Sequence, residues 1–186
     1  MIATILLGVS VLAAALGAWR RSRMAADPAV SDRSVLVADA TTAIGIVVLL
    51  VPAAVLAWRA DPLTGGEYAT AAVLAVAVAA FTGSSVVRLV LTAGGIPTRA
   101  DNHDDPGDGE TPLRGGRIIG VLERASVAAC LLLAWPAGLA VILAVKSLAR
   151  FSELRAPRAS EQFILGTFAS VMWACAVAGI GWLLGV

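Results

Sequence analysis

"GGRIIGVLERASVAACLLLAWPAGLAVILAVKSLARF", residues 115–151, is a continuous apolar stretch broken only by a few charges, of which Glu123, Arg124 and Lys146 lie inside it. As one helix its thirty-seven residues would measure about 55 Å, against roughly 30 Å of bilayer hydrocarbon. A single straight crossing is excluded. Pro136 and Gly138 sit near the middle, where proline removes a helix hydrogen bond and glycine permits a turn. Two arms, Arg117 to Trp135 and Ala137 to Arg150, joined by a tight turn fit the length, although the second arm, at about fourteen residues, is short for a full crossing. A single kinked helix is the rival reading.

Positive charge decides between them. Other apolar runs of spanning length cover Ile2 to Trp19, Thr41 to Trp58, Tyr68 to about Leu91, and Gln162 to Leu184. With a hairpin, six helices put residues 20–40, 92–117 and 150–161 on one side, with the helix ends bearing Arg88, Arg124 and Lys146. Thirteen of the fourteen basic residues then share that side, and only Arg59 lies on the other. With five helices, Lys146, Arg150, Arg155 and Arg158 would cross over. Lys and Arg concentrate in cytoplasmic loops, so the hairpin is predicted. The fold class expected is an all-α polytopic transmembrane bundle of about six helices, with a helical hairpin at residues 117–150.

Composition agrees. The chain is 59% hydrophobic and 15% charged, with a mean hydropathy of +0.86, whereas soluble domains run at about 45–50% and about 25%. Lipid is therefore the expected solvent for most of it. No basic residue precedes the first apolar run and a basic cluster follows it, an order that suits an uncleaved first helix rather than a cleaved signal peptide. Both termini are expected outside. The Ala, Val and Arg bias has the character of a high-GC bacterial genome, so the location expected is the bacterial cytoplasmic (inner) membrane, crossed several times.

The organisation read from these runs is helices one to three in residues 1–94, a flexible acidic cytoplasmic linker at 95–116, and helices four to six in 117–186. Within the linker, "DNHDDPGDGE" offers Asp101, His103, Asp104, Asp105, Asp108 and Glu110. Its spacing is not that of a calcium loop, and a solvated link is expected. Cys130 and Cys175 lie apart in apolar runs and read as buried small hydrophobes. No catalytic, cofactor or metal residues are assigned. Trp19, Trp58, Trp135 and Trp182 fall near helix ends, as interfacial rings do, while Trp173 does not.

Two constellations stand out. In a hairpin turning near Pro136, Glu123 lies level with Arg150 and Arg124 with Ala149, and Lys146 is one turn deeper than Arg150 on the same face. A short carboxylate below the interface needs such a cation, because it cannot snorkel. Structural pairing of Glu123 with Lys146 or Arg150 is one reading. The other is a cytoplasmic-side charge cluster of Arg117, Glu123, Arg124, Lys146, Arg150 and Glu161, with Arg155 and Arg158 around it, that holds an anionic lipid headgroup or a phosphate-bearing substrate. Arg88 either snorkels to the same interface or joins it. In the last helix Gly166, Ser170, Ala174 and Ala178 form a small-residue stripe for close helix packing, internal or against another membrane-protein subunit.

The wording "GGRIIGVLERASVAACLLLAWPAGLAVILAVKSLARFSELR" followed by "SEQFILGTFASVMWA" resembles the carboxy-terminal half of a family of uncharacterised polytopic bacterial membrane proteins, actinobacterial ones in particular. Their G-R-x-I-G-x-L-E-R, A-x-K-S-x-x-R-F and E-x-F-x-x-G-T segments match Gly116 to Arg124, Ala144 to Phe151 and Glu161 to Thr167. The resemblance spans residues 115–175 and implies no activity, substrate or cofactor. Some relatives carry His and Asp in their first helices; helices one to three here are read as having none, so chemistry tied to those residues is not expected in this chain.

The function expected is a non-enzymatic accessory, scaffold or assembly subunit of a cell-envelope complex. Its partners would be the bilayer and other membrane subunits, without nucleic acid. The alternative is a small transporter or anionic-lipid-binding protein that uses the charge cluster.

Overall fold

The computed structural model describes residues 1–96, Thr98, residues 116–149, Phe151 and residues 157–186, apart from the side chains of residues 116, 117 and 157–159. Its regular elements are α-helices only, among the described residues: α1 (Ile2–Ala26), α2 (Asp32–Arg59), α3 (Gly65–Ala93), α4 (Gly116–Leu132), α5 (Ala137–Ala149) and α6 (Pro157–Leu183). Four of them, α1, α2, α3 and Ser160–Leu183 of α6, are long and apolar enough to cross a membrane. The acidic stretch with His103, together with Arg150, Arg155 and the side chains of Arg117 and Arg158, lies outside the described residues.

α1 and α2 form an antiparallel pair that runs well past the apolar sequence. α1 continues beyond Trp19 to Ala26, and α2 begins at Asp32 rather than near Thr41. The chain reverses over Asp27 to Val30, where the Asp27 carboxylate accepts from the Ala29 N–H at 2.9 Å and Pro28 pre-sets the turn. Ser31 then caps α2, its hydroxyl accepting from the Ser34 N–H at 3.3 Å, which satisfies one of the orphan donors of the first turn. The expected loop at residues 20–40 is therefore mostly helix.

α3 and α6 pack antiparallel through small residues. Ala71, Ala75 and Ala79 of α3 and Ala174 and Ala178 of α6 are all buried, and a Cβ added at Gly181 would lie 2.8 Å from that of Ala75. Lipid tails are as apolar as any side chain, so backbone proximity and the dispersion it allows hold such helices together. The α2–α3 loop joins this pair where the Leu63 N–H donates to the Leu184 carbonyl at 2.7 Å. Met1, Arg59 and the end of α6 thus share one end of the bundle, while Arg21, Asp39 and Arg88 lie at the other.

Large apolar side chains point outward along the long helices, Ile5, Leu12 and Leu16 on α1 and Ile164, Phe168 and Met172 on α6 among them. Trp58, Trp135 and Trp182 lie at one end. Along α1, from Ile2 at that level to Trp19, the rise is about 26 Å, close to the hydrocarbon thickness of roughly 30 Å.

The α4–α5 hairpin is present, with its crease displaced. α4 closes on Ala134, which adopts φ 57°, and the N–H of Trp135 donates to the Cys130 carbonyl at 2.8 Å while that of Ala134 donates to the Leu131 carbonyl at 3.1 Å. These two bonds satisfy the last carbonyls of a helix that ends in a left-handed residue; with alanine rather than glycine there, the backbone costs roughly 1–2 kcal/mol. Gly138 is not the turn. It lies in the first turn of α5 and is buried, and a Cβ there would meet Cys130 Sγ at 2.5 Å and the Trp135 ring at 2.9 Å. Its small size lets α5 close over Cys130. At thirteen residues, α5 is about 20 Å long and falls short of a full crossing.

Candidate functional site

The charges that matter most lie where the apolar runs stop. Asp39, in the third turn of α2, is buried between Arg21 of α1 and Arg88 of α3, and side-chain exposures are 3% for Arg21 and Asp39 and 10% for Arg88. Arg21 Nε donates to Asp39 Oδ2 at 2.9 Å. Arg88 grips the carboxylate as a fork, with Nη2 donating to Oδ1 at 2.7 Å and Nε shared between both oxygens at 3.0 Å, the strong bidentate geometry of arginine with carboxylate. Arg21 Nη2 also donates to the carbonyl of Thr98. Three helices are tied at one carboxylate. Arg88 therefore does not snorkel, and the first three helices do contain an aspartate.

Arg124 follows a different course from its neighbour Glu123. Successive residues on a helix point about 100° apart, so Glu123 faces α5 while Arg124 faces α3. Arg124 is 3% exposed, and its guanidinium lies across the middle of α3. Nε donates to the carbonyls of Ala79 and Ala80 at 3.2 and 3.1 Å, and Nη2 donates to the Ala80 carbonyl at 2.8 Å and the Ser84 hydroxyl at 2.9 Å. Gly83 makes the approach possible, since a Cβ there would lie 2.6 Å from Arg124 Cδ and 2.7 Å from Trp173 Cδ1. Trp173 crosses from α6 on the same side and donates Nε1–H to the Thr82 hydroxyl at 2.9 Å. Among the described residues, every acceptor that holds Arg124 is neutral.

Glu123 is closed by Lys146, whose Nζ donates to both carboxylate oxygens at 2.7 and 2.6 Å. The ammonium also sits 5.5 Å from the centroid of the Phe163 ring on α6, a cation–π contact. The expected charge cluster is thus divided. Glu123 and Lys146 meet; Arg124 turns to the opposite side of α4; Glu161 is exposed in α6 without an ion pair among the described residues. Arg117 and Arg150 have no described side chains. In the small-residue stripe, Ser170, Ala174 and Ala178 are buried and Gly166 faces Leu91, so the stripe packs inside the bundle.

A cleft of about 120 Å³ opens beside the Arg88 end of this network. α1 and α4 flank α3 without packing on each other, and the gap between them has Ala14, Ala18 and Arg21 of α1, Thr42 of α2 and Val121 of α4 as walls and Phe81, Thr82, Ser84, Ser85 and Arg88 as floor. Its volume is well below the roughly 300–1,000 Å³ of sites for drug-sized ligands.

The fold and this network define an all-helical protein with four helices suited to a membrane and a charged polar interior toward one end. No protein-family model, curated protein or solved structure matches the chain.

Asp39, with its partner Arg21, is what sequence reasoning missed at this site. A signal for it exists: Val35, Ala38 and Asp39 are buried in phase with Ala43, Ile46, Leu50, Ala53 and Ala57, a helical period that continues across the apparent edge of the apolar run.

Proposed function

We propose that the chain is a multi-pass protein of the bacterial cytoplasmic membrane, with both termini outside, that serves as a non-enzymatic accessory, scaffold or assembly subunit of a cell-envelope complex. The observation that carries this reading is the use made of the buried charges. Asp39 is closed by two arginines from two other helices and Glu123 by the lysine of α5, so each buried carboxylate among the described residues fastens helices together. A catalytic carboxylate must stay within reach of a substrate proton. The resemblance of residues 115–175 to polytopic bacterial membrane proteins supports the same setting.

The partner is tested by crosslinking in intact membranes before purification. The chain is expected in a stoichiometric complex with another membrane protein; recovery solely as the lone chain overturns the scaffold role. The orientation has a separate test, because basic residues cluster at the Arg21 end and Arg59 lies at the other. A reporter fused after Arg155 is expected to read cytoplasmic and one fused after Asp61 external, and the reverse pattern overturns the topology.

A further inference from the structure

We infer that the outward face of α1, at its Trp19 end, binds the headgroup of an anionic phospholipid through Arg20 and Arg23, with the acyl chains along Leu16 and Leu12. The inference goes beyond the scaffold role and needs only that α1 meet lipid, as its length and apolarity allow.

Leu12, Leu16, Trp19, Arg20 and Arg23 are all exposed, and at about 100° per residue they fall within an arc of about 100° on one side of α1. The opposite side carries Ala3, Leu7, Ser10, Ala14 and Arg21, which are buried. Neighbouring arginines are therefore put to different uses. Arg21 turns inward to Asp39, whereas Arg20 and Arg23 stay on the outside and, among the described residues, form no ion pair. Two outward guanidinium groups thus continue a face that is otherwise apolar.

The order of side chains along that face matches the layers of a lipid. Ile2 to Trp19 rises about 26 Å, near the hydrocarbon thickness of roughly 30 Å, and Arg20 and Arg23 lie about 27 and 32 Å from Ile2 along the axis. The two cations fall where phosphate groups begin. Leu16 is one turn from Arg20, so a molecule with an anionic head and apolar chains meets both. Trp19 lies between them, at the level that amphipathic rings favour, and the Arg23 guanidinium carbon is 4.8 Å from its ring centroid. This cation–π contact holds a flexible side chain in the headgroup layer, which lowers the ordering cost of binding an anion.

The pair of cations selects for net negative charge. Guanidinium donates charge-assisted hydrogen bonds to phosphate, but a choline headgroup brings a third cation beside the two. A free phosphate would meet only the arginines, in water where the attraction is screened over about 10 Å, and would gain nothing from Leu16.

The test places the full-length chain in nanodiscs of phosphatidylcholine and phosphatidylglycerol, with bromine on the acyl chains of one lipid or the other. Bromine quenches tryptophan on contact, and subtracting the signal of the matching Trp19→Phe protein isolates Trp19. At equal mole fractions, brominated phosphatidylglycerol is expected to quench Trp19 as if enriched roughly fivefold over brominated phosphatidylcholine, the scale of one arginine at an anionic surface. Arg20→Gln combined with Arg23→Gln should bring that ratio to about one with the thermal midpoint unchanged, because both side chains are exposed. Arg20→Lys with Arg23→Lys should keep most of the preference, as should Arg59→Gln at the other end. In the parent, about 1 M sodium chloride should abolish it, and this arm decides the matter if the glutamine variant does not fold. Equal quenching by the two lipids in the parent overturns the inference, as does a preference that survives the glutamine pair or the salt. At low ionic strength, loss of the preference in phosphate but not in chloride of the same ionic strength would assign the arginines to a free anion instead.

Discussion

Asp39→Asn should destabilise the fold by about 3–5 kcal/mol, the range for removing one member of a buried charge network. The substitution keeps the shape of the side chain but removes the charge and turns one acceptor oxygen into an NH2 donor facing an arginine, so a loss reports electrostatics and hydrogen bonding rather than packing. Both arginines then lose the carboxylate they share, at positions where side-chain exposure is 3% for Arg21 and 10% for Arg88. Their low exposure leaves little room for water in place of the carboxylate. For a chain of this size the thermal midpoint in detergent should fall by about 6–20 °C. Arg59→Gln is the control, being exposed at the opposite end, and should stay within about 0.5 kcal/mol of the parent. An Asp39→Asn midpoint equal to the parent's would show that the carboxylate does not tie the three helices.

That network was hidden by the property that makes a membrane protein legible. Hydropathy marks a helix only where it meets lipid, so α2 read from Thr41 although Ser31 caps it and its buried positions keep one phase from Val35 to Ala57. The two missing turns carry Asp39. Arg88 was visible as an arginine near a helix end, but snorkelling and ion pairing look alike in one dimension; what separates them is a partner on another helix, and long-range pairing leaves no mark on local spacing. The hairpin was legible for the opposite reason, because a length limit and a charge asymmetry are properties of the chain alone. Its register was not. Proline and glycine drew the crease toward Pro136 and Gly138, whereas α4 closes two residues earlier on Ala134, a residue type with no preference for that conformation. Of the two partners read for Glu123, Lys146 is the one found, and Arg150 lies outside the described residues.

The adjacent pair Glu123 and Arg124 makes α4 the connecting element of the bundle. One of them reaches α5, the other α3, and deleting either would act on a different interface. Among the described helices α5 packs its backbone on α4 only, so its position depends on the Glu123–Lys146 pair, the Phe163 contact, the close approach of Gly138 to Cys130 and the packing of Leu139 and Ile142 on the core.

A double-mutant cycle on Glu123 and Lys146 should therefore be strongly non-additive. Lys146→Met leaves a carboxylate whose side chain is 6% exposed and too short to snorkel, and should cost about 3 kcal/mol. Glu123→Gln should cost less, about 1–2 kcal/mol, because the Lys146 side chain is 20% exposed and its long stem can carry the ammonium toward the interface. The double variant, with an amide facing a thioether and no charge left over, should lie within about 1 kcal/mol of the parent. Cys130 supplies a local readout, since its thiol is covered by Gly138 of α5 and only 8% of the residue is exposed. In a Cys175→Ala background, N-ethylmaleimide should label Cys130 faster in Lys146→Met than in the parent and return to the parent rate in the double variant. Additive losses, with labelling still fast in the double variant, would mean that Lys146 and Glu123 act separately and that the pair does not hold α5 against α4.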